Sequence, residues 1–141
     1  MEKDLLTAKQ LLEQNNCTCA LCQEDAVFTS TLRGVKPLLN FLEAGTNLQG
    51  FCAADKVVGK GAAFLYCLLG VRAVYAPVMS QAALEVLQKH GIVARYDLLV
   101  DAIFNRRRDG FCPMETATKA LDDPHEALLA IRKTLEKMHQ S

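Results

Sequence analysis

The sequence predicts a single α/β domain, a sheet with parallel crossover units and helices on both faces. Two observations carry this. From residue 51 onward, short β-rich apolar runs alternate with longer segments of helical periodicity, in the order strand, helix, strand, helix, strand; that alternation builds parallel crossovers. The chain has 141 residues, 50% of them hydrophobic, enough for one complete core and too few for two comfortable ones.

Taken in order, residues 4–14 place Leu5, Ala8, Leu11 and Leu12 at helical spacing, and Asn15 and Asn16 can stop that helix. Residues 17–23 and 26–32, rich in Cys, Thr, Val and Phe and split by Glu24 and Asp25, read as an antiparallel hairpin. After Gly34, Pro37 sits where a first helical residue would be, and Gly45 closes a short helix. Residues 51–54 form a brief strand leading into a helix expected over residues 55–69, apolar nearly all round after Lys60. Residues 72–76 form a strand ended by Pro77, and Ser80 caps a helix that runs to His90 and Gly91. Residues 92–96 give another strand, and residues 97–105 fit strand or helix. Two helix starts follow, Cys112-Pro113-Met114-Glu115 and Asp123-Pro124-His125-Glu126, each with a first-turn proline and a third-position glutamate.

Composition narrows the function classes. With 16 basic and 16 acidic residues the net charge is zero, so neither nucleic acid nor a membrane surface is expected as a partner. The one basic cluster is Arg106, Arg107 and Arg108, followed by Asp109, a polar loop that could close over a ligand pocket. Residues 1–16 carry acids and no apolar run of the kind a signal peptide has. The apolar run over residues 61–71, closed by Lys60 and Arg72, falls short of the roughly 20 residues of a membrane helix. A cytoplasmic location is expected, with six cysteines held as thiols.

The site-shaped segment is residues 53–63, AADKVVGKGAA. Asp55 is expected to cap the following helix, and Lys56 and Lys60, four apart, would share one face near its positive end. Gly59 and Gly61 allow close approach, so a small anionic ligand, phosphorylated or nucleotide-like, would meet amides, dipole and ammonium groups together. The plain alternative is a cap, two solvated lysines and glycines that ease packing. Cys112, expected at a helix N-terminus, is the candidate nucleophile, because that position lowers a thiol's pKa; its plain alternative is a core thiol. Glu115 fits a capping box better than a general base, yet would lie near the ligand. Cys17 and Cys19 are expected on one strand face and Cys22 on the other, which argues against a shared metal ion. The scattered His90, His125 and His139 read as surface residues.

Residues 53–63 (AADKVVGKGAA), 74–80 (VYAPVMS) and 111–115 (FCPME), with 33–39 (RGVKPLL), resemble the bacterial domain of unknown function 1893, over a likeness running from about residue 16 to the C-terminus. The resemblance implies a cytidine-deaminase-like three-layer α/β/α sandwich around a mixed five-stranded sheet. In zinc deaminases of that fold, His-x-Glu and Pro-Cys-x-x-Cys open two successive helices. Here Ala53, Ala54, Asp55 and Lys56 fill the first place, and Val78 and Gln81 stand where the cysteines would be. No metal and no cofactor is therefore expected. The residue assignment is Asp55, Lys56, Lys60 and Gly59 at the ligand with Cys112 and Glu115 beside it; if chemistry occurs, Cys112 attacks, a lysine, Lys56 first, stabilises negative charge and Asp55 or Glu115 handles the proton. A homodimer is expected, and the rival reading is a non-catalytic assembly or regulatory module.

Overall fold

The computed structural model describes residues 2–103 and 112–140. Helix α1 (Lys3–Gln14) leads into the hairpin β1 (Cys19–Gln23) and β2 (Ala26–Ser30), then α2 (Lys36–Ala44). Next come β3 (Cys52–Asp55), β4 (Val57–Val58), α3 (Lys60–Leu69), β5 (Ala73–Ser80), α4 (Gln81–Lys89) and β6 (Val93–Val100). After the undescribed stretch, α5 (Pro113–Thr118) and α6 (Pro124–Gln140) complete the described chain.

The sheet is six-stranded and mixed. β1 pairs antiparallel with both β2 and β3, whereas β3, β4 and β6 all run parallel to β5. β3 and β4 lie along the same edge of β5 in the same offset, Cys52 opposite Ala73 and Val57 opposite Val78. They are therefore one strand interrupted at Lys56, which is how the five expected strands become six. The interruption has a partner: Pro77, opposite Lys56 in that offset, has no ladder partner in β3, β4 or β6. Proline was expected to end the strand; instead β5 continues to Ser80, because the missing N–H falls where neither neighbouring ladder uses it.

Local signals account for most helix ends. Ser80 Oγ accepts from the Ala83 N–H at 3.1 Å, and Asp123 Oδ2 accepts from the Glu126 N–H at 3.0 Å. Gly45 and Gly70 close α2 and α3 at φ +67° and +75°, a region open to glycine.

Alternation along the strands divides the core. Ala20, Cys22, Ala54, Ala73 and Tyr75 pack against Leu5, Ala8 and Leu12 of α1 on one face. Cys19, Leu21, Ala53, Val74 and Ala76 join side chains from α2 to α6 on the other. Past Pro77 the alternation slips once in all three parallel strands. Ala53 and Val58, Val74 and Met79, Ala94 and Leu99 all face the larger core, although each pair is five residues apart. The slip turns Val57 and Leu98 outward, at 44% and 56% exposure, with Val78 between them in the register. No described helix is long and apolar enough to cross a membrane.

Candidate functional site

At residues 53–63 the structure redraws the expected junction. The helix does not begin at Asp55. The strand resumes at Val57, and α3 starts at Lys60 with Gly59 as its N-cap, extended and offering no side chain. Asp55 therefore caps nothing: it ends β3 with its side chain turned into the larger core, 8% exposed. Lys56 and Lys60 consequently share no helix face. Lys56 is exposed on the strand interruption, whereas Lys60 Nζ donates to the Lys119 carbonyl at 2.8 Å and stands 5.7 Å from the Phe64 ring centroid.

The open end of α3 is satisfied from far along the chain. Glu115 Oε1 accepts from the Lys60 N–H at 2.7 Å and from Ser80 Oγ at 3.0 Å. Ser80 Oγ in turn accepts from the Ala83 N–H, so one carboxylate ties together the first turns of α3, α4 and α5. Gly59 is what lets it in: a Cβ there would stand 2.3 Å from Glu115 Oε1. Glu115 is thus neither its own helix's capping-box partner nor an exposed ligand group; it is the anion that the α3 dipole and amides attract. Cys112 is the N-cap of α5 without a side-chain cap bond, half-buried against the core, and α5 has only six residues. It lines neither the Asp55 pocket described next nor the groove holding Lys60, Phe64, Glu85, Lys89 and Asp122.

The polar grouping that the fold does assemble lies around Asp55, at the C-terminal end of β3, the end of a parallel strand where open α/β sheets bind ligands. The Tyr66 hydroxyl, from the buried flank of α3, donates to Asp55 Oδ2 at 2.8 Å, and Cys19 Sγ of β1 lies 3.4 Å from the same hydroxyl. Burial pushes the Asp55 carboxyl up to about 7, against the pull of the Tyr66 hydrogen bond and of the Val57 and Lys56 peptide N–H groups. Burial, followed by the neighbouring Asp55 and Cys19, likewise drives Tyr66 well above its ordinary value. Cys19 is raised too, first by burial and then by Asp55. In front of this trio is a pocket of about 140 Å³ lined by Thr18, Cys19, Arg33, Pro37, Asp55 and Lys56. Among the described residues neither the Arg33 nor the Lys56 side chain has a hydrogen-bond or ion-pair partner, and both are exposed. The site thus has a protonatable floor and an uncompensated cationic rim.

Of the expected site residues, Asp55 and Lys56 meet here, Gly59, Lys60 and Glu115 meet at the α3 start, and Cys112 stands apart from both. Arg33 and Tyr66 carried no assigned role in the sequence. Tyr66 had one signal: a phenol inside a helix apolar nearly all round, which when buried seeks a polar partner. The zinc positions of the deaminase pattern are filled by a buried, hydrogen-bonded Asp55 and by Val78 and Gln81, a donor set that does not fit the metal. Among the described residues no three His, Cys, Asp or Glu side chains form a metal-binding group. The cysteine faces also differ from expectation. Cys17 precedes the strand and packs with Cys22 on the α1 side, Cys19 on the other. His90 and His125 are exposed, while the His139 side chain and residues 105–110, with Arg106, Arg107, Arg108 and Asp109, lie outside the described residues.

No match is found among curated proteins. Among solved structures, the chain is similar to the crystal structure of a DUF1893 family protein (TM1506) from Thermotoga maritima. The two are 29% identical with a TM-score of 0.83, over 97% of this chain and 92% of that one. The sequence profile of the same family, described as TM1506, a domain of unknown function (DUF1893), matches residues 7–135. With nearly its whole length matched, the chain belongs to the DUF1893 family.

Proposed function

We propose that this protein binds a small anionic ligand, phosphorylated or nucleotide-like, by its anionic head in the pocket in front of Asp55. The observation that carries this is the pair of cations, Arg33 and Lys56, unpartnered among the described residues, at the rim of a pocket whose floor is a buried carboxyl. Two exposed cations at the rim of one small pocket repel one another, and an anion bound there relieves that repulsion. The volume of about 140 Å³ suits a phosphate-sized head with a few further atoms, so the base of a nucleotide would rest outside. The reading takes the fold as a three-layer α/β/α sandwich of the cytidine-deaminase-like type, supported by α1 alone on one face and the other helices opposite. It carries no deaminase chemistry with it. If a reaction occurs, Asp55 is the group suited to move a proton; Cys112 is no longer the nucleophile of choice, because it lines no part of this pocket.

The test is a thermal-shift and native mass-spectrometry screen of sugar phosphates and nucleotides. A bound ligand raises the apparent stability by mass action, and the Arg33→Ala, Lys56→Ala double variant should lose that shift. An unchanged shift in the double variant would remove the site from this pocket.

A second reading, an assembly or regulatory module acting as a homodimer, is favoured by the outward row Val57, Val78 and Leu98 on the face where, among the described residues, α1 is the only helix packed. Light scattering that finds only monomers at micromolar concentration would count against it.

A further inference from the structure

We propose that this pocket takes up its anion together with a proton, which resides on Asp55, so that the ligand is a compact anion seated against a neutral carboxyl. The inference rests on the ligand-binding reading above and adds to it the protonation state of the complex.

The geometry leaves an entering anion little choice of neighbours. The same small pocket is lined by Arg33 and Lys56 and by Asp55, so an anion drawn between the two cations comes down beside the carboxyl. If that carboxyl is ionised, two like charges meet where burial has removed most of the water that would screen them. If it is protonated, its O–H becomes a hydrogen-bond donor and the floor changes from repelling the anion to binding it.

No other described group around Asp55 can take over this role. From α3, Tyr66 already donates its hydroxyl to Oδ2; from β1, Cys19 contacts that hydroxyl. Burial keeps both neutral near pH 7. Lys56, next in the chain, and Arg33, from the segment before α2, are cations, and neither is ion-paired to Asp55. No described histidine lines the pocket. Among the described residues Asp55 is the one lining carboxyl, and burial places its titration at about 7, so the proton can be taken from solvent near neutrality. A ligand that needs the neutral form then binds more weakly as pH rises, and fixing the proton is part of binding it.

The probe is sulfate, whose charge is constant from about pH 6 to pH 8, so that any proton uptake belongs to the protein. Isothermal titration of the 141-residue chain is carried out in two buffers of different ionisation enthalpy. The expected result is uptake of close to one proton per sulfate at about pH 8, less at about pH 6, and an association constant that falls about tenfold per pH unit above neutrality. Asp55→Asn, which is permanently neutral, should bind sulfate with nearly the same affinity at both pH values. Binding with no proton uptake and no pH dependence overturns the proposal and leaves the anion site standing. No sulfate binding at either pH, together with no response to phosphorylated compounds, overturns the site itself and the proposal with it. The wild-type proton count decides the matter even if the Asn variant fails to fold.

Discussion

Asp55 and Glu115 are both carboxyl groups near the start of α3, and the fold uses them in opposite ways. Glu115 is met by a peptide N–H and a serine hydroxyl, and its negative charge lies where the α3 dipole favours it. Asp55 is met by a phenol and by the Val57 and Lys56 peptide N–H groups, with a thiol neighbour, but it lies deep in the larger core, so burial prevails over these and the neutral form gains. Both were expected to cap their own helix starts, Asp55 that of α3 and Glu115 that of α5; Asp55 caps none, and Glu115 serves α3 instead. What separates them is the resumption of the strand at Val57, which moves the helix start past Asp55 and leaves its first N–H groups open to a residue from α5. A helix start is an inviting anion site, and in this protein a carboxylate of the chain itself, Glu115, fills it.

The largest effect that would sharpen this contrast is in the pH dependence of stability. The folded Asp55 carboxyl holds its proton up to about 7, while the unfolded chain releases it near pH 4. The folded state therefore binds more protons between those values, and stability falls as pH rises through that window, by up to roughly 4 kcal/mol before levelling off. Urea unfolding between pH 5 and about pH 8 measures it. Asp55→Asn should flatten the slope, and an equally steep slope in that variant would break the comparison.

Glu115 should give a smaller effect of a different kind. Glu115→Ala removes the acceptor for both Lys60 N–H and Ser80 Oγ and should cost about 2 kcal/mol, whereas Glu115→Gln keeps an acceptor oxygen and should cost about half that. Equal losses would mean that charge, not hydrogen bonding, holds the α3 start. The smallest effect is Gly59→Ala, about 1 kcal/mol, because the new methyl must push the Glu115 carboxylate off its partners. In the Glu115→Ala background the same change should cost only a few tenths of a kcal/mol, and a double-mutant cycle on denaturant unfolding reads the difference.

What could be read along the chain was what neighbours in sequence decide. The hairpin around Glu24 and Asp25, the short helix between Pro37 and Gly45, and the caps at Ser80 and Asp123 all depend on residues a few positions apart. The junction at residues 53–63 did not yield to the same reading, because Asp-Lys followed by an apolar helix is a sound local start signal. That signal was overridden by pairing of Val57 and Val58 with β5 and by Glu115, which lies far along the chain. Pro77 misled for a related reason, since whether a missing N–H matters depends on what stands on both sides of it. The pocket in front of Asp55 is legible in part: Asp55 and Lys56 stand together in one short segment of the sequence, but Arg33 and Tyr66 reach them only through the fold.

The slip in alternation at Lys56, Pro77 and the residue opposite it in β6 has a consequence for how this chain can change. Because all three strands turn over at one level, Val58, Met79 and Leu99 enter the core together. Deleting one residue from any single strand above that level would put its side chains out of step with both neighbours. Length changes in β3 to β6 are therefore tolerated only if three separate strands change in concert, so insertions and deletions among relatives should gather in the connections and leave these strands at constant length.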